Sequence, residues 1–298
     1  MQAFDIPTSY LCCRQVSQQA ASSFYWCFRL LPRQKRDAMY ALYAFSRRAD
    51  DLADSNAPTS ERKLALQQWR TQLDAALRGE FSEPILPALA DTVQRYSIPH
   101  QYLHDILEGV ETDLQATHFA TFDQLRDYCY HVASAVGLVC IHIWGFNGQS
   151  AEKAAIDCGI AFQLTNIIRD IHEDALRDRM YLPQEDLQRF GCSLEQLNTP
   201  HSAPDWTEMI RFQIERAQQY YQQGAALLPQ LDRDGRRIFR LMMGTYWHLL
   251  NKLQRRASEV GRQRISLGAI SKVRISISTT LPWSSMNREL FGRASKLA

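Results

Sequence analysis

Glycine and proline, which punctuate loop-rich all-β proteins, are scarce: 13 Gly and 11 Pro are spread over 298 residues. There is no C-x-x-C pair. The seven cysteines (Cys12, Cys13, Cys27, Cys129, Cys140, Cys158 and Cys192) are odd in number, so neither a disulfide framework nor a zinc site is indicated. They read instead as small buried hydrophobes. Charge of one sign is also missing. With 34 Lys+Arg against 32 Asp+Glu the net charge is +2, too balanced for a nucleic-acid coat, and no nucleic-acid-binding motif is present. The start, MQAFDIPTSYLCCRQ, has no basic region followed by an apolar run, so no signal peptide is expected and the expected compartment is the cytoplasm. No G-x-G-x-x-G follows a strand-like segment, so a nicotinamide cofactor is not indicated.

A membrane span is tested by the stretch 128–151, which carries no Asp, Glu, Lys or Arg. Its length would cross a bilayer, but His131, Ser134, His142, Asn147 and Gln149 interrupt it. A helix buried on all sides fits better. What remains is 45% apolar, 10% aromatic and 22% charged, the composition of a soluble globular protein with ample length for a core.

Helical period dominates the chain. Met39, Leu42, Tyr43, Ala49, Leu52 and Ala53 make an apolar stripe over 35–54. Pro58 breaks it, and Thr59 or Ser60 is expected to cap a helix over 61–78. Further helices are predicted near 85–96, 99–115, 121–146, 151–178, 205–228 and 234–256. With no strand series and no internal repeat, the expectation is one all-α domain over residues 1–298, with a basic tail from about 257. The Pro/Ser-rich stretch 191–204 is the sole candidate boundary.

Two acidic ladders carry the chemistry. Asp50 and Asp54 lie four apart near a helix C-terminus, so they share a face, repel each other and oppose the helix dipole. Arg47 and Arg48, one turn earlier, are the ordinary surface partners. Downstream, Gln163, Asn166, Asp170 and Asp174 follow at spacings of three and four, opposite an apolar face. Two such faces on separate helices are best explained across a pocket. Hard oxygen ligands at this spacing suit Mg2+ completed by substrate phosphates. A diphosphate neutralised there becomes a good leaving group, adjacent arginines bind it, and aromatic faces shelter a carbocation.

The chain resembles the bacterial squalene/phytoene synthases, which join prenyl diphosphates head to head. The resemblance rests on YALYAFSRRADDLAD (40–54), YCYHVASAVGL (128–138) and AFQLTNIIRDIHEDALRDRMYLP (161–183). Weaker likeness lies around SSFYW, GVETDL and MGTYWHLLNKL. The resemblance implies the all-α isoprenoid synthase fold, with helices around a central cavity. It also implies that one substrate ionises, the allylic cation is attacked by the second substrate, and proton loss closes a cyclopropane. By the same resemblance Asp50, Asp54, Asn166, Asp170 and Asp174 hold two or three Mg2+ ions. Arg47 and Arg169 meet diphosphate, and Ser22, Ser23, Phe24, Tyr43, Gln163 and Tyr246 contact substrate. Tyr128 assists proton loss or stabilises the cation.

One departure is Ser134, where the family has glycine; its small size should still permit close helix packing. The RADDLAD and MGTYWHLL segments look more like the squalene (hopanoid) branch acting on farnesyl diphosphate to give presqualene diphosphate. The alternative is a phytoene synthase acting on geranylgeranyl diphosphate. A non-catalytic binding or assembly factor would have eroded acids, whereas all four anchor aspartates and Asn166 are present. From Lys252 to the end, ten Lys/Arg stand against two Glu, net +8. This tail reads either as a peripheral contact with an anionic membrane surface or as a solvated end.

Overall fold

The computed structural model describes residues 5–20, 27–114, 118–193, 206–260, 264–266 and 291. Among them the regular structure is helical, and one isolated antiparallel bridge joins Phe146 to Leu231. The residues group into two compact units. The first comprises Met1–Gln115, Ala135–Gly148 and Leu231–Ile238, the second Ala116–Ser134, Gln149–Gln230 and Phe239–Ala298.

The first unit holds helices α1 (Ile6–Gln19), α2 (Arg33–Ala53), α3 (Thr59–Leu77), α4 (Leu86–Arg95), α5 (His100–Asp113) and α7 (Ala135–Trp144). The sequence reading assigned no helix at α1. Its buried face is Ser9, Cys13 and Ser17, which leaves little hydrophobic period to detect. The local signals are at its start, where the Asp5 carboxylate accepts the Thr8 N–H at 2.9 Å and Pro7 sits in the first turn. Helix α2 buries Met39, Leu42, Phe45, Ala49 and Ala53 and packs on α1, α4 and α5. Phe45 stacks on Trp69 with ring centroids 5.7 Å apart, and each fully buried ring contributes about 2–3 kcal/mol.

The expected cap of α3 is not made. Pro58 occupies the N-cap, and the Thr59 hydroxyl instead accepts the Arg62 guanidinium at 2.9 Å. Charge-free α7 buries seven of its ten residues, which explains its apolar circumference. It ends at Gly145, whose φ of +85° suits glycine and where a Cβ would strike the Asp232 carboxylate. Among the described residues no helix is long and apolar enough to cross a membrane.

The second unit holds α6 (Phe122–Cys129) with a π-helical turn (Tyr130–Ser134), α8 (Ala151–Ala175), α9 (Gln184–Arg189), α10 (Thr207–Gly224) and a 3-10 turn (Ala225–Gln230). It also holds most of α11 (Arg233–Arg255). Helix α8 is its centre, packed against α6, the π turn and α10. Two glycines let backbones meet there. A Cβ on Gly159 would lie 2.5 Å from Ser134 Cα, and one on Gly224 would lie 2.8 Å from Cys158 Cα. Ser134 therefore fits the close crossing, as expected, and its hydroxyl adds a 2.8 Å hydrogen bond to the Ile156 carbonyl. None of the seven cysteines is in a disulfide, and five are buried.

Just past α8 the chain closes a Schellman motif: Arg179 N–H donates to Asp174 O and Asp178 N–H to Ala175 O. Asp178 holds the left-handed position at φ +60° that glycine ordinarily takes. Asp178→Gly is expected to stabilise the fold by about 0.5–1 kcal/mol, a rise of about 1–4 °C in Tm by scanning calorimetry.

Candidate active site

In the first unit, α2 presents Tyr43, Arg47, Asp50 and Asp54 at spacings of four, three and four. Of the two arginines one turn earlier, Arg47 still draws the Asp50 carboxyl down by its charge, but the close ion pairs of both are to other acids. Arg47 pairs with Asp51 at 2.7 Å and Arg48 with Glu83 at 3.7 Å. Neither Asp50 nor Asp54 is ion-paired with a described residue. Water reaches Asp50, yet enough protein surrounds it that burial, then the Asp54 charge, pushes its carboxyl up to about 6. Asp113, at the end of α5, adds to that repulsion. It belongs to the segment GVETDL, where the likeness to the family is weak and no local pattern marks a ligand. Tyr43 is half-buried, edge-on to Phe28 at 6.5 Å.

In the second unit, α8 aligns Gln163, Asn166, Asp170 and Asp174. The Asn166 amide donates to Gln163 Oε1 at 3.3 Å, and Tyr246 from α11 hydrogen-bonds to Asn166. Burial raises the Tyr246 hydroxyl, so it stays protonated, and its ring stacks on Phe162 at 4.3 Å. Asn166 Oδ1 is buried with no hydrogen-bond partner. Asp170 receives Arg169 through Nε at 2.8 Å and through Nη2, and Arg264 Nε at 3.1 Å. Arg264 also reaches Glu173 Oε2 at 3.3 Å. Asp174 lacks such a fork. Burial, then the Asp170 charge, pushes it up to about 6, against the pull of Arg179 and Arg177.

Tyr128 is 5% exposed and belongs to an aromatic triangle, 5.1 Å from Phe119 and 5.4 Å from Tyr181. Ser22, Ser23 and Phe24 lie outside the described residues, as does most of the basic tail. Sequence reasoning missed Arg264, Phe162, Phe119 and Tyr181. Arg264 was counted only as tail charge, and nothing local to its neighbours distinguishes it.

Each acidic set fits a divalent cation. Each holds a carboxylate raised by burial and then by a neighbouring acid, a condition that an ion relieves, and the second set adds an orphaned amide oxygen. All donors are hard oxygens, the set that suits Mg2+ rather than a softer metal.

The fold is all-α among the described residues, and each unit carries a ladder of hard-oxygen donors on one helix. Residues 17–271 match the squalene/phytoene synthase family. The chain is 35% identical over 269 residues to a phytoene synthase of Arthrospira platensis, covering 86% of this chain and 87% of that one. It superposes on a dehydrosqualene synthase crystal structure with TM-score 0.81 and 26% identity, over 92% of this chain and 96% of that one. A squalene synthase from Alicyclobacillus acidocaldarius gives TM-score 0.79 and 26% identity, over 86% and 95%. The chain belongs to the squalene/phytoene synthase family, and it is a prenyltransferase of that family with the isoprenoid synthase fold.

Proposed function

We propose that the protein condenses two farnesyl diphosphates head to head into presqualene diphosphate, with Mg2+. The observation that supports the reaction class is the pair of acid ladders in which Asp50 and Asp174 are held above the ordinary carboxylate range, the second ladder with the orphaned Asn166 oxygen. Asp50 and Asp54 would hold the metal, as would Asn166, Asp170 and Asp174. When bound, Mg2+ supplies charge that stabilises the departing diphosphate.

The chain's own groups do the rest. Arg47 and Arg169 offer planar forks to diphosphate oxygens. Arg264, already turned onto Asp170 and Glu173, is the third such fork. Gln163 orients the substrate through its amide, and the ring faces of Tyr43, Phe162 and Tyr246 favour a hydrocarbon cation over water. Tyr128, packed against Phe119 and Tyr181, is the group assigned to stabilise the cation or relay the proton lost. Ser22, Ser23 and Phe24 are assigned to substrate contact. The basic tail is assigned to an anionic membrane surface, although Lys252, Arg255, Arg256 and Arg264 of its ten cations already hold partners within the chain.

The farnesyl substrate is favoured by the RADDLAD and MGTYWHLL segments. A second reading, two geranylgeranyl diphosphates to phytoene, is favoured by the relatives of 34–35% identity, which are named phytoene synthases. The purified protein, incubated with Mg2+ and each diphosphate separately, discriminates by mass spectrometry of the lipids. A cyclopropyl diphosphate or squalene-type product from the farnesyl substrate is expected, abolished by EDTA. Phytoene from the longer substrate alone would replace it with the second reading. Consumption of neither would leave a non-catalytic binding protein.

A further inference from the structure

The second unit contains a buried ion pair that the reaction described above does not use. Asp186 of α9 is 3% exposed, and it receives the Arg216 guanidinium of α10 through both nitrogens, Nη1–Oδ2 at 2.5 Å and Nη2–Oδ1 at 3.2 Å. Gln213 completes the group, donating to Asp186 Oδ2 at 2.9 Å and accepting from Arg216 Nη1 at 2.9 Å. The guanidinium also lies 4.0 Å from the centroid of Phe122 and 4.7 Å from that of Phe212. A fork that satisfies both carboxylate oxygens while its faces lie on rings leaves little freedom to any partner. A buried pair of this kind is weak evidence for stability, because desolvation cancels much of the attraction, but it fixes geometry.

What it fixes is specific. Phe119 lies three residues before Phe122, and Tyr181 lies five residues before Asp186. Both segments that deliver a ring to Tyr128 are thus fastened to one guanidinium. The segments are also tied to each other: Gln184 N–H donates to Phe119 O at 2.8 Å, Glu185 N–H to Ala120 O at 3.1 Å, and Phe122 N–H to Glu185 Oε1 at 2.7 Å. Without Arg216, Tyr181 and Phe119 would still be joined to each other. Their hold on α10, and so on α8 against which α10 packs, would fall to the Gln213–Asp186 hydrogen bond and the Phe122–Tyr220 ring contact, without the fork that fixes their geometry.

We propose that Arg216, through Asp186, is a positioning residue that sets the Tyr128–Phe119–Tyr181 aromatic wall for the reaction. The proposal rests on the role given to Tyr128 above. Arg216 touches no reacting atom; it acts by holding the rings in place, and a misplaced catalytic group is costly even at small displacements.

The test uses the full chain labelled with 3-fluorotyrosine, with the Tyr128 and Tyr181 fluorine resonances assigned from Tyr128→Phe and Tyr181→Phe. Arg216→Lys keeps the charge but loses the fork. The double variant Asp186→Leu/Arg216→Met removes both charges, so no lone ion is buried and folding is protected. In both variants the two resonances are expected to shift or broaden while the others hold. With Mg2+ and the accepted diphosphate, kcat is expected to fall about tenfold at nearly constant KM. Arg216→Lys should retain more kcat than the double variant. Unchanged fluorine resonances, or a kcat per folded molecule equal to wild type, would overturn the proposal even if Tm falls. If the wild-type protein consumes neither farnesyl nor geranylgeranyl diphosphate, the proposed function fails on its own account. The fluorine spectra then still decide whether the pair sets the wall.

Discussion

Asp50→Asn and Asp174→Asn are each expected to cut turnover by about a thousandfold, about 4 kcal/mol of barrier, while raising the Tm of the metal-free protein. The two effects have one cause. Each carboxyl sits near a second acid in a partly desolvated place that pushes it up to about 6 from an ordinary value near 3.8. Below both values folded and unfolded chains are equally protonated. As pH rises from about 4 to about 6 the unfolded carboxyl ionises first, so the folded state loses stability across that window. Above it the penalty is constant. A shift of about two units corresponds to about 3 kcal/mol at most, and water access to these side chains reduces that to about 1 kcal/mol each. The amide variants should therefore melt higher than wild type near neutral pH and coincide with it near pH 4. Millimolar Mg2+ should raise the wild-type Tm and leave the variants less affected. Thermal melts over pH, with and without Mg2+, check the first half, and steady-state turnover of the prenyl diphosphate checks the second. Variants that melt lower than wild type at neutral pH would show that these acids are structural and that the metal assignment is wrong.

Gly159→Ala is the largest expected change in stability. Alanine ordinarily improves a helix by about 1 kcal/mol over glycine. Here the new methyl would lie 2.5 Å from Ser134 Cα and 2.7 Å from Ser134 N, where backbone has nowhere to go. Overpacking of this kind costs about 1–3 kcal/mol or more, and a net loss of about 2 kcal/mol should lower Tm by about 4–8 °C. Adding Ser134→Gly removes only the hydroxyl from the clash. The double variant should therefore recover little, and it also loses the bond to the Ile156 carbonyl. Chemical denaturation of the single and double variants gives the coupling directly. A full rescue by Ser134→Gly would mean that the side chain, not the backbone, sets the helix spacing.

Much of this molecule was legible in one dimension. The spacing of three and four across Gln163, Asn166, Asp170 and Asp174 already places them on one face of a helix, since 3.6 residues make a turn. The same holds for Asp50 and Asp54 on α2. Buried helices such as α7 showed themselves by absence of charge, and the motif order identified the family. Helix α1 escaped because a face of Ser9, Cys13 and Ser17 carries almost no hydrophobic contrast, although Asp5 and Pro7 marked its start. The cap of α3 was misassigned because Thr59 and Ser60 are equally good candidates locally, and proline took the position.

Other features belong to the tertiary structure alone. That Arg47 pairs with Asp51, and Arg48 with Glu83, leaves Asp50 and Asp54 without an ion pair among the described residues, whereas the sequence made these arginines their ordinary surface partners. Arg264 lies 94 residues from Asp170 and reads in sequence as one more cation of a basic tail. Asp186 and Arg216 stand 30 residues apart with no periodicity linking them. Local sequence fixes what short-range sterics and hydrogen bonds decide, namely which residues are helical and which share a face. Which charge is neutralised, and by whom, depends on distances between elements. Only the packed chain sets those.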